Sequence, residues 1–260
     1  MAPLPGDVLR RIHANHVDAF LAPARGRADW HVEVHGAATL IRSPFPGSAF
    51  NRLFVMDRVE QPRALIERAA SLFRARRSDW AVIATNDAGG QLAPAARSAG
   101  LVPGSPLPLM AMMLPRIADG SERPAPALDV RRSVTPGDIR DFIATAAGGF
   151  GSGREVFEVF FEGRDIGPPE CAFFVGYLSG ARVASAAVTI TNGVAGLQNI
   201  ATLPVYRRRG IGEAMTRAAL ETGIAAGCDV AALTATPRGY PLYRRMGFAD
   251  AGSYMTWDSP

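Results

Sequence analysis

The chain predicts an α/β protein with mixed sheets: two copies of one fold in tandem, the second carrying a functional site. Three observations lead there. Gly196 to Ile224 (GLQNIATLPVYRRRGIGEAMTRAALETGI) reads as strand, basic glycine turn and helix. Both halves repeat one order of elements, with matching apolar strands WAVIAT (Trp80 to Thr85) and VAALTAT (Val230 to Thr236). Between them Arg116 to Ala127 (RIADGSERPAPA) has the polar, Pro- and Gly-rich composition of a linker. The expected domains are therefore 1–115, a linker at 116–127, and 128–260.

In the first half, Gly6 to Ala22 predicts a helix, with Val8, Leu9, Ile12, Val17 and Phe20 along one face. Asp29 to Arg42 alternates, Trp30, Val32 and Val34 against His31, Glu33 and His35. That H-x-E-x-H set has the residue types of a metal site, but polar residues on a strand's solvent face are the ordinary outcome, and no metal is expected. His13 and His16 are read as surface residues of the first helix. A strand follows at Phe50 to Met56, a helix at Pro62 to Ala75, the strand Trp80 to Thr85, a short helix at Gln91 to Ser98 and a closing strand at Leu107 to Leu114.

In the second half, Thr135 to Thr145 and Val156 to Phe161 read as helices, and Cys171 to Leu178 and Arg182 to Thr191 as strands around Ser179-Gly180. The opening strand and helix come next, then VAALTAT, a short helix around Leu242, and a strand from Phe248 to Trp257.

Composition sets the bounds. With 260 residues, 48% apolar and 20% charged, the chain has material for two cores and reads as soluble. It lacks an apolar run of about 18 residues, and Met1 to Gly6 has no basic region, so no membrane span or signal peptide is expected. Two cysteines, Cys171 and Cys228, are too few for a disulfide framework, and the expected location is cytoplasmic. The net charge of +4 lies in the first half, where residues 1–126 hold 15 Arg against 11 acids and the remainder 13 against 13. Those arginines are scattered, and no motif points to nucleic acid.

The chemistry concentrates in Arg207 to Gly212, R-R-R-G-I-G. Glycines there let a ligand approach the backbone, and the first amides of the next helix have no intrahelical partner. With three arginines beside it, this is an anion site suited to phosphate. A lysine-dependent phosphate loop is excluded because the chain has no lysine, and a dinucleotide fingerprint because residue 215 is Met.

The R-x-x-G-x-G pattern, with Thr202-Leu203-Pro204-Val205-Tyr206 before it and YPLYRRMGF (Tyr240 to Phe248) after VAALTAT, resembles the GNAT superfamily of acyl-CoA-dependent N-acyltransferases over about Leu128 to Trp257. The resemblance implies acetyl-CoA as co-substrate, lying between splayed central strands. Ile200, Ala201 and Thr202 would contact its pantetheine arm through the main chain. Arg207, Arg208, Arg209, Gly210, Ile211, Gly212 and Glu213 would surround its pyrophosphate. Tyr243, four residues before Gly247, stands where the family has its general acid for the leaving thiolate; the alternative is a ring that only packs in the core. Thr236 replaces an asparagine that many members use for the cofactor.

Two departures matter. Leu197, Gln198 and Asn199 stand where some members carry a glutamate base, leaving water or Glu155, Glu158, Glu162 or Asp165 for that task. In the first half FVMDRVEQPRALIE replaces TLPVYRRRGIGEAM, putting Asp57 and Glu60 where a pyrophosphate would be repelled, so that half is read as a degenerate copy. The expected function is acetyl transfer to the primary amine of a small molecule or peptide. The alternatives are a non-catalytic acyl-CoA-binding protein and a transferase of longer acyl chains. Gly148 to Pro169, with Phe150, Phe157, Phe160 and Phe161, is the expected acceptor region. A monomer or homodimer is expected.

Overall fold

Prolines, glycines and threonines mark most element boundaries in the computed structural model, which describes residues 4–114, 127–159, 161 and 168–260. Helix α1 is Gly6–Leu21. Strands β1 (His31–His35) and β2 (Ala38–Arg42) form an antiparallel hairpin, and β3 is Arg52–Val55. Helix α2 (Pro62–Arg74) starts on proline, whose missing N–H costs nothing in a first turn. β4 (Ala81–Thr85) leads directly into α3 (Asn86–Ser98), because the Thr85 hydroxyl accepts the Ala88 amide at 3.4 Å and caps it. That cap starts α3 five residues earlier than the sequence spacing predicts. β5 (Val102–Pro103) and β6 (Leu107–Met113) close the first half.

The second half opens with β7 (Asp129–Arg132), a strand the sequence reading lacks. Helix α4 (Pro136–Phe150) begins with a capping box, in which Thr135 and Asp138 satisfy each other's backbone amides. It runs past the expected end at Thr145, through Gly148 and Gly149. Then come α5 (Glu155–Glu158), β8 (Cys171–Leu178), β9 (Ala181–Thr191), β10 (Val194–Thr202), α6 (Ile211–Ala225), β11 (Val230–Thr234), α7 (Tyr240–Arg245) and β12 (Ala249–Asp258). The expected linker up to Pro126, together with Phe160, Glu162 and Asp165, lies outside the described residues. No described helix is long and apolar enough to cross a membrane.

The chain forms two compact units whose limits differ from the expected 1–115 and 128–260. One comprises the chain up to Pro23 with Met110–Ala249; the other comprises Ala24–Leu109 with Asp250–Pro260. The first helix thus joins the second half's unit, and the last strand joins the first half's.

In the unit containing 110–249, the sheet order is β11-β10-β9-β8-β7, with the end of β6 beside β11 through Leu114 N–H to Asp229 O at 2.7 Å. β8, β9 and β10 are antiparallel; β10 and β11 are parallel, joined through α6. Side-chain alternation separates the faces. Ala172, Phe174, Ala195 and Leu197 pack with Ile211, Met215, Ala219 and Leu220 of α6 and with Tyr243 and Met246 of α7. The opposite face carries Phe173 against Phe142 of α4 and Gly196 against Asn15 of α1.

Helix α1 is held there by polar as well as apolar contacts. Buried Asn15 donates from Nδ2 to Thr189 O, Thr191 Oγ1 and Val194 O at 3.0, 3.0 and 3.1 Å. Arg11 donates to Asn192 O and Gly193 O and pairs with Asp229, holding that carboxyl below its usual range. Burial of Ile12, Val8 and Val17 adds about 1.5–3 kcal/mol each.

The other unit has the order β1-β2-β3-β4-β12, with β5 on β12. Its core is Leu40, Leu53, Val55, Ile66, Phe73, Val82, Leu92 and Trp257. β12 pairs antiparallel with β4 from Tyr254↔Thr85 to Asp258↔Ala81, which buries Tyr254 and Trp257. On β1 the expected apolar face is not a core face, since Val32 and Val34 are exposed. His31 and His35 both bond Glu33, which also meets Arg68 at 2.7 Å. Glu33 is lowered to about 2, first by Arg68 and then by His31, so its oxygens are spent within this cluster.

Candidate active site

The site begins where β10 leaves β11. Their parallel pairing covers only Val194↔Val230, Ala195↔Ala231 and Gly196↔Ala232, while β10 continues to Thr202 and β11 to Thr234. A β-bulge accompanies the parting: β10 advances from Gln198 to Ala201 while β9 goes from Ala187 to Ser185. Asn199 takes the left-handed conformation at φ 51°, one that Asn adopts more readily than most residues. Its carbonyl accepts the Ser185 hydroxyl at 3.0 Å. A bulge bends and twists its strand, and beyond Gly196 β10 has no ladder pairing with β11 among the described residues.

Ile200, Ala201 and Thr202 follow the bulge. Ile200 packs toward the α6 face, and buried Ala201 faces Gly149 of α4. Thr202 stands at the mouth, its Oγ1 3.9 Å from where a side chain on Gly212 would begin.

The basic turn closes one end. Gly210 precedes α6 at φ 77°, a conformation that favours glycine, and among the described residues no side chain caps the helix. The first helical amides with a carbonyl partner are those of Glu213 and Ala214, both on Gly210 O. The N–H groups of Ile211 and Gly212 are left as donors at a positive helix end. Arg208 is exposed at φ 66°, a strained setting for a side chain of its size. Arg209 is exposed, lies 5.6 Å over the Tyr206 ring and donates to Val205 O at 3.3 Å. Arg207 is turned inward, onto Thr202 O and Gly149 O. The carboxylate of Glu213 pairs with Arg217 at 3.0 Å, so only its backbone stands in the turn.

On the other bank, Thr236 is exposed just past β11, and its hydroxyl accepts the Gly239 amide at 3.1 Å. It thereby closes the turn that leads into α7, whose N-cap position is Gly239. Tyr243 on α7 is buried, edge-on to Phe248 at 5.8 Å, and burial pushes its phenol up to about 12. Its hydroxyl has no hydrogen-bond partner among the described residues. The ring packs in the core, and the phenol keeps its proton at neutral pH.

The face opposite α6 carries a polar row that the sequence reading missed. Gln198 Nε2 donates to Thr189 Oγ1 at 3.1 Å, and Cys171 Sγ lies 3.4 Å from the same hydroxyl. Phe150, exposed at the end of α4, stacks on Phe157 at 6.1 Å, whereas Phe161 packs with Phe142 and Phe173 in the core. Glu158 pairs with Arg154 at 3.3 Å. Alternation alone places Gln198 and Gly196 on one face; Asn199 was the available signal for the bulge.

Residues 169–250, from just before β8 to the start of β12, match the family model of the acetyltransferase (GNAT) domain. The class is therefore an acyltransferase. Solved structures of the same fold cover nearly the whole chain. A GCN5-related N-acetyltransferase from Kribbella flavida aligns with TM-score 0.72 at 19% identity, over 97% of this chain and 96% of its own. Another from Sphaerobacter thermophilus aligns with TM-score 0.60 at 18% identity, over 99% and 94%. A tandem GNAT protein from the clavulanic acid biosynthesis pathway aligns with TM-score 0.58 at 15% identity, over 96% and 95%. No curated protein matches the sequence. Residues 169–250 thus carry a GNAT domain, and the chain as a whole shares its fold with these proteins, a tandem GNAT protein among them.

Proposed function

We propose that the unit containing residues 110–249 transfers the acetyl group of acetyl-CoA to a primary amine by direct attack. The observation that carries this reading is the parting of β10 from β11 beside the uncapped start of α6. An extended pantetheine arm, with its own amides, suits the unpaired edge at Ile200, Ala201 and Thr202, as an added strand suits a sheet edge. The pyrophosphate suits the amides of Gly210, Ile211 and Gly212 and the side chains of Arg208 and Arg209. Thr236 retains a hydroxyl hydrogen for the cofactor after accepting the Gly239 amide.

The amine attacks the thioester carbonyl, the tetrahedral intermediate collapses, and Tyr243 gives its proton to the leaving thiolate. α6 packs on one face of β10 and α1 covers Gly196 on the other, so the amine is assigned to the stretch of that second face around half-buried Gln198. No carboxylate lies on β10, and the amine loses its proton through water. The acceptor is a small-molecule or peptide amine.

The other unit takes no cofactor in this reading. There β3 pairs with β4 along its whole length, Arg52↔Ala81 to Val55↔Ala84, and no edge is left over. The loop after β3 is occupied by its own chain: Val59 N–H donates to Gln91 Oε1 at 3.0 Å, and Gln91 Nε2 to Val59 O at 2.5 Å. Pro62 removes one amide from the start of α2, and Asp57 and Glu60 stand exposed before it. Both cysteines are buried and neither is in a disulfide among the described residues, which suits a reducing compartment such as the cytoplasm.

A second reading, a non-catalytic acyl-CoA-binding protein, is favoured by the lack of a base on β10. Amine-stimulated thiol release from acetyl-CoA, abolished by Tyr243→Phe, excludes it. Acetyl-CoA binding with no release for any amine in a panel of small amines, amino acids and peptides overturns the transferase reading. Faster turnover of longer acyl-CoA thioesters would replace acetyl by those chains.

A further inference from the structure

Arg207 differs from its two neighbours in what it touches. Its Nε donates to Thr202 O at 3.0 Å and one terminal N–H to Gly149 O at 2.8 Å, so one guanidinium joins the end of β10 to the end of α4. It is half-buried, while Arg208 and Arg209 are exposed. The last carbonyls of a helix have no intrahelical partner and form its negative end. In α4, Ala147 O is satisfied by the amides of Gly151 and Ser152 at 2.8 and 3.0 Å, and Gly149 O falls to Arg207. The planar fork suits two carbonyls at once, which a lysine ammonium does not reproduce.

The same junction is a close backbone approach. A side chain on Gly149 would begin 2.6 Å from Ala201 Cβ, and one on Gly148 would begin 2.9 Å from Leu203 Cδ2. The residue after Gly149 is Phe150, exposed and stacked on Phe157, in the segment expected to meet the acceptor.

The geometry points to Arg207 as a positioning residue, and not a phosphate ligand: it fastens the anion-binding turn to the end of α4, so that the cofactor strand and the acceptor wall at Phe150 hold one arrangement. This rests on the acetyltransferase reading of the site. A phosphate ligand acts on the nucleotide end of the cofactor only. A fastener acts on every thioester laid along β10 and on acceptor binding.

The test compares acetyl-CoA with S-acetylpantetheine, the same thioester arm without nucleotide or pyrophosphate, in wild type, Arg207→Ala, Arg209→Ala and Gly149→Ala. Arg207→Ala is expected to lower kcat/KM about tenfold for both thioesters, leaving their ratio unchanged, and to raise the KM of the amine. Gly149→Ala, which breaks the junction from the other side with Arg207 intact, is expected to do the same and keeps the test open if Arg207→Ala does not fold. Arg209→Ala is expected to affect acetyl-CoA alone. Loss confined to acetyl-CoA in Arg207→Ala makes it a phosphate ligand and overturns the inference. So does a fall in kcat at unchanged amine KM, the mark of a merely weakened fold, or no effect of either junction variant. A wild type that turns over neither thioester overturns the underlying reading instead.

Discussion

Gly212→Ala separates a glycine kept for a ligand from one kept for the fold. Gly212 lies in the first turn of α6 and does not have the positive φ of Gly210. A methyl there would sit 3.4 Å from Leu242 Cδ2 and 3.9 Å from Thr202 Oγ1, ordinary contact distances, so the empty protein accepts it. Alanine also loses less backbone entropy on folding, and such replacements stabilise by about 0.4–1 kcal/mol where the conformation is compatible. For a chain of this length that is a melting shift of roughly +1 to +4 °C. In the complex the same methyl stands between the Thr202 mouth and the amides of Ile211 and Gly212. Losing one charge-assisted amide-to-phosphate bond costs about 1.5–3 kcal/mol, or roughly 10- to 150-fold in Kd. Calorimetric titration with acetyl-CoA and a thermal melt of the same sample read both quantities. Unchanged affinity refutes the placement of the pyrophosphate; a fall of several degrees in the melt shows the glycine to be structural.

Tyr243→Phe should reduce turnover about a hundredfold or more while leaving the acetyl-CoA Kd and melting temperature nearly unchanged, since the hydroxyl makes no hydrogen bond among the described residues. Burial raises the phenol of Tyr243 to about 12, and burial followed by the Asp141 hydrogen bond raises Tyr177 to about 12, against an ordinary value of 10. A folded-state pKa above the unfolded one means the folded state holds the proton, so this stability is complete below pH 10 and disappears as pH rises from 10 through about 12. Circular dichroism across that window should show unfolding, and a fold indifferent to it contradicts the burial of these rings. Asn15→Ala removes the two Nδ2 hydrogens that α1 shares among three acceptors of the β9–β10 hairpin, and should cost about 1–3 kcal/mol, or roughly 2–12 °C in the melt. A shift under about 1 °C would mean that α1 is dispensable to this unit.

The longer elements were readable because local patterns determine them: alternation in the strands, apolar spacing in α1 and α2, and Pro62 and Gly210 at helix starts, whereas the short β5 and β7 and the turn between β1 and β2 were not. The anion turn was readable for the same reason, as its glycines and arginines are consecutive. What local pattern does not carry is partnership across the chain. Helix α1 was counted with the first half, yet Asn15 and Arg11 bind residues between Thr189 and Asp229. β12 was counted with the second half, yet it pairs with β4. Helix α4 was expected to end at Thr145, and the use of the glycines beyond it is the approach of Gly149 to Ala201. Within the site, the sequence reading gives Arg207, Arg208 and Arg209 one shared role around a pyrophosphate. Only the fold shows Arg207 spent on Thr202 O and Gly149 O.

The most direct test of the central claim is calorimetric titration of the whole chain with acetyl-CoA, beside an Arg209→Ala, Gly212→Glu double variant. One site per chain in the wild type, lost in the variant, is the predicted result, with the cofactor held between β10 and β11 at the start of α6. Two sites per chain would contradict the reading of the β3–β4 unit as cofactor-free, and no binding would contradict acetyl transfer by this protein altogether.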